Sequence, residues 1–168
     1  CLNYGCVPSK ALLAAGHAAA HYGHTSQVGV NGQGAEIDFA AVNDHVQGVV
    51  AGIAPHDSVE RFSDLGVDGF QEGAKFTGPR EVLGENGTRV RARRFVVATG
   101  SSPAVPPIPG LDQVSYLTNE TVFELRERPS HLIVVGGGPI GLEMAQAHRQ
   151  LGSKVTVLEA FQMMGPDD

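Results

Sequence analysis

The sequence is poor in cysteine, in basic residues and in long apolar runs, and each shortage removes a class of function. Cysteine occurs only at positions 1 and 6 of 168. Two thiols five residues apart make a poor framework for a secreted disulfide scaffold, and in a reducing cytosol a close pair is more often catalytic or metal-binding. Cytoplasm is therefore the expected compartment. Lys and Arg number 12 against 18 Asp and Glu, a net charge of −6. A phosphate-tracking surface needs clustered cations, so nucleic acid is not expected as a partner. No apolar stretch is long and uninterrupted enough to span a bilayer, and no membrane partner is expected. No serine sits in a nucleophile elbow, which leaves a hydrolase without a foothold. Internal repeats and low-complexity tracts are also missing. Without an initiator Met or secretory signal, the chain opens inside a motif and stops at Gly165-Pro166-Asp167-Asp168. The expectation is a piece of a longer protein.

What is present is 42% hydrophobic, enough for one or two small cores. Lys10–Tyr22 is rich in strong helix formers, so the cysteines fall at or in the first turns of a helix. A glycine-rich loop is expected over 23–36. Asp38 reads as the N-cap of a second helix carrying Phe39, Val42, Val46, Val49, Val50 and Ile53 at helical spacing and ending near Phe62. From Gly66 the period becomes that of short strands: Val67–Phe70, Ala74–Thr77, Glu81–Leu83 and Thr88–Arg93, with a hairpin turn at Glu85-Asn86-Gly87. Arg94–Gly100 reads as a buried strand, and the proline-rich 101–110 as a stiff connector. The last third predicts strand His131–Val135, a glycine turn, a helix from Pro139 to about Leu151, and strand Lys154–Leu158, which is one βαβ unit.

In Gly136-x-Gly138-Pro139-Ile140-Gly141 the first glycine permits a tight turn, the second lets backbone approach a pyrophosphate, and the third lets helix pack on strand. The phosphate then meets a helix N-terminus. Glu159, 18 residues past Gly141, stands where an acid hydrogen-bonds the ribose hydroxyls and repels a 2′-phosphate, favouring NAD over NADP.

The cysteine pair has three readings: a redox-active disulfide, a structural bridge or free thiols, and half of a metal site. No second Cys or Cys-His pair completes a four-ligand metal set. An ideal helix rises about 7.5 Å over five residues, beyond the usual Cα separation of a disulfide, so a bridge requires a distorted turn, for which Gly5 supplies freedom. A thiolate released near a helix start is stabilised there, and Lys10 adds positive charge one turn on. His17, His21 and His24 share one helix face and are read as a solvated helix end rather than metal ligands. No metal site is expected.

Cys1-Leu-Asn-Tyr-Gly-Cys-Val-Pro-Ser-Lys10 resembles the active-site segment of the class I pyridine nucleotide-disulfide oxidoreductases, a family that includes dihydrolipoamide dehydrogenase, mercuric reductase and glutathione reductase. The Pro-Ser-Lys ending is more similar to the first two. Arg94–Pro103 resembles the strand that closes the family's FAD domain, placing Ala98, Thr99 and Gly100 at that cofactor. Gly136–Glu159 resembles its NAD domain. The implied fold is α/β: part of a FAD-binding Rossmann-like domain with a β-meander over 1–115, then the first βαβ of an NAD-binding Rossmann domain over 116–168.

The resemblance implies a relay in which electrons pass from nicotinamide through FAD to a Cys1–Cys6 disulfide and on to substrate, or the reverse. Cys1 becomes the interchange thiol and Cys6 the flavin-facing thiol, and Lys10 with Glu143 forms a charge pair near the reactive ring edge. By spacing alone Glu143 is an ordinary exposed helix residue. The implied substrate is a small-molecule disulfide or a metal ion such as mercuric ion, and the implied parent is a homodimer. Tyr4 departs from the small aliphatic residue usual in the family. The family's first FAD glycine motif would lie before Cys1, and its dimerisation domain with a His-Glu base after Asp168, so these residues alone are expected to be inactive. A different class remains open: a non-catalytic NAD-binding module with structural or redox-sensing cysteines.

Overall fold

The computed structural model describes residues 1–24 and 36–160; most of the loop expected over 23–36 lies outside them. The chain divides into two compact units, Cys1–Pro55 with Pro107–Asp168, and His56–Pro106.

In the first unit, α1 runs Cys6–His24. Its start is set by a turn in which Val7 N–H donates to the Cys1 carbonyl at 3.2 Å and Ser9 N–H to that of Gly5 at 3.1 Å. Pro8 is tolerated because the first helical turn has no carbonyl partners for its missing N–H. Helix α2 spans Phe39–Ile53, with the Asp38 carboxylate accepting from Ala41 N–H at 3.0 Å, as the cap reading predicts. It ends nine residues short of Phe62, because Pro55 lacks an N–H to continue the ladder. The chain instead makes a 3-10 turn at Ala54–Asp57 and restarts as α3, Val59–Asp64, with Ser58 as its cap.

Strand β4, His131–Val135, and strand β5, Lys154–Leu158, pair in parallel, with His131 opposite Lys154 and Val135 opposite Leu158. Between them lies α4, Pro139–Gln150, so the predicted βαβ unit is present residue for residue at both strands. One core joins the unit: Ala11 and Leu12 of α1, Phe39 and Val46 of α2, Val122 and Phe123, and Met144, Ala147 and Leu151 from α4 and its end. Apolar residues spaced three and four apart on each helix supply these contacts.

The second unit holds α3 and an antiparallel meander: β1, Ala74–Gly78, β2, Glu81–Gly84, and β3, Arg89–Arg91. Gly87 closes the β2–β3 hairpin with φ +86°, a conformation that costs glycine little. Two expected strands do not form: Val67–Phe70 and Arg94–Gly100 join no ladder among the described residues. Val96 is 91% and Val97 71% exposed, the opposite of the burial expected. A valine run is buried only when backbone flanks it on both edges and side chains cover both faces; the meander offers this run one contact, Phe95 edge-on to Phe76 of β1 with ring centroids 5.1 Å apart, and no pairing strand among the described residues.

Candidate functional site

Cys1 and Cys6 are joined in a disulfide with Cα atoms 4.8 Å apart. The separation is short because Cys1 precedes the helix rather than lying in it: Cys6 is the first residue of α1, and the chain folds back over residues 2–5. The distorted turn that a bridge requires thus lies ahead of α1, over residues 2–5. Gly5 contributes close packing, not an unusual backbone angle. A Cβ there would lie 3.2 Å from Cys1 Cα and 3.6 Å from Cys1 Sγ, and its φ is not positive. Both cysteines are exposed residues at the head of the helix.

Lys10, one turn along α1, donates from Nζ to Glu143 Oε1 on α4, 133 residues away. The hydrogen bond from Lys10 holds the Glu143 carboxyl below its usual range, and the Lys10 charge adds to it against partial desolvation. Ser9 itself is buried and its hydroxyl donates to the Cys6 carbonyl at 3.2 Å. The disulfide helix and the glycine-turn helix are thus tied by a charge pair that connects the two sequence motifs. The spacing of Glu143 in its own helix gave no sign of this; only the resemblance did.

At the other motif, β4 is followed by Gly136 with φ +116°, a value that only glycine adopts cheaply. Its N–H donates to the Leu158 carbonyl at 2.8 Å, carrying the parallel ladder into the turn. Gly138 caps α4 and Pro139 opens it, where proline's fixed φ suits the first helical position. A Cβ at Gly141 would collide with the Gly136 carbonyl oxygen and stand 3.2 Å from Val134 Cγ1, so the helix can sit this close only without a side chain there. By contrast, a Cβ at Gly136 or Gly138 would meet nothing within 4 Å. That open space before a helix start with free N–H groups fits a dinucleotide pyrophosphate. Ile140 is exposed on the same turn.

Glu159 follows β5 and its carboxylate accepts from Gly137 N–H at 2.6 Å. The acid read from sequence as a ribose ligand fastens the middle of the glycine turn. Ala98, Thr99 and Gly100 lie exposed in the second unit, with Gly100 at φ +71°.

His17 meets Gln146 of α4, with Nε2 atoms 3.1 Å apart. Among the described residues no group of three or more His, Cys, Asp or Glu is arranged to hold a metal ion; the His24 side chain lies outside them. Two residues escaped the sequence reading. Asn119 Nδ2 donates to the Tyr4 carbonyl at 3.0 Å, inside the loop between the cysteines. His148 is fully buried in α4, its ring 5.7 Å from that of Phe39, with no hydrogen-bond partner for either nitrogen. Burial alone pushes its pKa down to about 4.

The sequence profile of the family described as Pyridine nucleotide-disulphide oxidoreductase matches residues 1–166. The chain belongs to that family. It is 36% identical over 159 residues to a mercuric reductase of Bacillus cereus, covering 95% of this chain and 25% of the relative. A mercuric reductase of Streptomyces lividans is 41% identical over 170 residues, with 94% and 34% covered. A dihydrolipoyl dehydrogenase of Chlamydia pneumoniae is 34% identical over 173 residues, with 96% and 35% covered. Among solved structures, the HOCl-induced flavoprotein disulfide reductase RclA of Escherichia coli superposes with a TM-score of 0.73 at 27% identity, covering 99% of this chain and 34% of RclA. The α/β fold of a flavoprotein disulfide reductase is thereby shown, and with it the α/β class expected from sequence. The chain spans about a quarter to a third of the length of these relatives. No helix among the described residues is long and apolar enough to cross a membrane.

Proposed function

We propose that this chain is the disulfide-bearing and nucleotide-binding part of a flavin-dependent oxidoreductase, with residues 1–115 from its FAD domain and 116–168 from its NAD domain. The observation that carries the reading is the Cys1–Cys6 disulfide at the head of α1, held by the Lys10–Glu143 pair to the helix of the glycine turn. FAD and NAD, when bound, supply two-electron transfer; Ala98, Thr99 and Gly100 would serve the flavin, and Gly136, Gly138, Pro139, Ile140 and Gly141 the pyrophosphate.

The chain's own chemistry is at sulfur. Two electrons and two protons break the Cys1–Cys6 bond and leave two thiols; the reverse returns both electrons and releases both protons. Cys6, at the first position of α1, keeps a thiolate best because the helix N-terminus favours negative charge, and it is the thiol that faces the flavin. Cys1, outside the helix, exchanges with substrate by thiolate attack through a mixed disulfide or by thiolate ligation of a metal ion. Lys10 and Glu143 fix each other's orientation at the junction of the two motifs. Glu159, anchored on Gly137, presents negative charge to the ribose and so selects NAD over NADP. The substrate is a small-molecule disulfide or a soft metal ion, the parent a cytoplasmic homodimer.

The test is made on the full-length, FAD-loaded protein. Anaerobic NADH should expose two new thiols per chain, and alkylation followed by peptide mass should place them on Cys1 and Cys6. If NADH exposes none, the cysteines are structural and the chain is a nucleotide-binding module without relay chemistry. For the cofactor, Glu159→Arg should move the ratio of kcat/KM values toward NADPH; an unchanged ratio removes Glu159 from selection.

A further inference from the structure

The loop between the cysteines is held from a distance by a residue that neither motif contains. Asn119 Nδ2 donates to the carbonyl of Tyr4 at 3.0 Å, across 115 residues of chain. Asn119 sits at the corner of a turn braced by its own threonines. Thr118 N–H donates to Thr121 Oγ1 at 3.0 Å and Glu120 N–H to Thr118 Oγ1 at 3.2 Å. The Thr118 carbonyl accepts from Thr121 and Val122 N–H at 3.1 and 2.9 Å. Immediately afterwards the chain enters the core. Val122 and Phe123 are buried, and the Phe123 carbonyl accepts from Asn43 Nδ2 at 2.7 Å and Gln47 Nε2 at 2.9 Å on α2. The amide of Asn119 is therefore a fixed donor, and the loop it grips is the one whose closure the disulfide enforces.

We propose that Asn119 is a positioning residue for the Cys1–Cys6 pair, setting its disulfide–dithiol equilibrium by holding the Tyr4 carbonyl in the closed-loop arrangement. The physical basis is state dependence. With the sulfurs joined, residues 2–5 are covalently confined and the carbonyl stays in place, so the bond forms at little entropic cost. Once reduced, the loop gains freedom, and keeping the same bond requires ordering it again. A hydrogen bond made more favourably in one state shifts the equilibrium toward that state, here the disulfide. For one solvent-accessible bond the effect is about threefold in the equilibrium constant. The inference rests on the redox reading of the cysteines given above.

The experiment uses full-length, FAD-loaded protein and its Asn119→Ala, Asn119→Asp and Asn119→Gln variants, equilibrated without oxygen in stepped ratios of reduced to oxidised dithiothreitol. Alkylation and peptide mass then report the state of Cys1 and Cys6. Ala and Asp remove the donor, Asp at unchanged volume, so one of them serves if the other fails to fold. Both should become half-reduced at a ratio about threefold lower than wild type, while Gln, which keeps an amide, should lie between. Coincident midpoints for wild type, Ala and Asp overturn the proposal, and so does a Gln midpoint displaced as far as that of Ala. If the wild-type cysteines fail to exchange as a pair at any ratio, the redox reading itself has failed, a result distinct from an unmoved variant.

Discussion

Gly16 of α1 packs closely on Ala147 and Gln150 of α4: a Cβ at Gly16 would stand 2.9 Å from Gln150 Oε1, 3.3 Å from the Ala147 carbonyl oxygen and 3.4 Å from its Cα. This contact lets the disulfide helix approach the glycine-turn helix closely enough for Lys10 to reach Glu143. Gly16→Val should therefore cost about 1–3 kcal/mol through overpacking, read as a lower urea midpoint at unchanged slope. In Gly16→Ala the gain in helix propensity, about 1 kcal/mol, opposes the tighter contact, and stability should change little. A stable Gly16→Val would show that the helices can separate.

His148 should make the fold sensitive to acid. Its folded pKa of about 4 lies below the ordinary 6.5, so below pH 6.5 the unfolded chain binds a proton that the folded chain refuses. Stability is then fully present above about pH 6.5 and falls as the pH drops toward 4, by up to ~3 kcal/mol if the whole shift is expressed. His148→Leu removes two unpartnered ring nitrogens from the core. It should raise stability by about 1–2 kcal/mol at neutral pH and flatten the profile between pH 6.5 and 4. Urea unfolding at stepped pH checks both; a variant as acid-sensitive as wild type assigns the effect elsewhere.

The glycines of the turn should separate by function. Gly141→Ala meets the Gly136 carbonyl and Val134 and should lower thermal stability by about 1–3 kcal/mol. Gly138→Ala meets no protein atom and has an ordinary φ of −75°, so the fold should be untouched while NADH binding to the full-length protein weakens. Unfolding scans and NADH titration distinguish the two. Equal NADH affinity in Gly138→Ala and wild type would mean that the open space is not where the pyrophosphate rests.

Asp38→Ala removes the side chain that caps α2 and should cost about 1 kcal/mol. The loss should appear as faster hydrogen exchange over Phe39–Asn43, with Cys1–Cys6 exchange unaffected.

Elements whose partners are close in sequence were legible from it. The Asp38 cap, the Asn86-Gly87 hairpin and the Gly136–Gly141 turn are specified by a few consecutive residues, and the βαβ strands were bounded correctly because a glycine turn and a helix punctuate them. The Arg94–Gly100 stretch was misread because composition reports how apolar a run is, not whether a sheet exists to receive it. The end of α2 was overrun because the apolar pattern carries past Ile53, whereas Pro55 and Ser58 decide the break. At the site, the cysteines and glycines were visible as motifs. The Lys10–Glu143 pair came from family likeness, since 133 residues separate its members. Asn119 and His148 could not be found in advance: a hydrogen bond to a backbone carbonyl leaves no residue-type signature on its acceptor, and a histidine on a mixed helix gives no hint that its face is the buried one.

The β4–β5 pair turns Leu132 and Val134 inward and leaves Ile133, Val135 and Leu158 each more than half exposed. Two parallel strands with no further strand beside them among the described residues and an oily outer face form a nucleus, not a finished wall. Handled at high concentration as these residues alone, the protein should scatter light increasingly with time, and a short Lys-rich strand peptide complementary to that edge should slow the clouding.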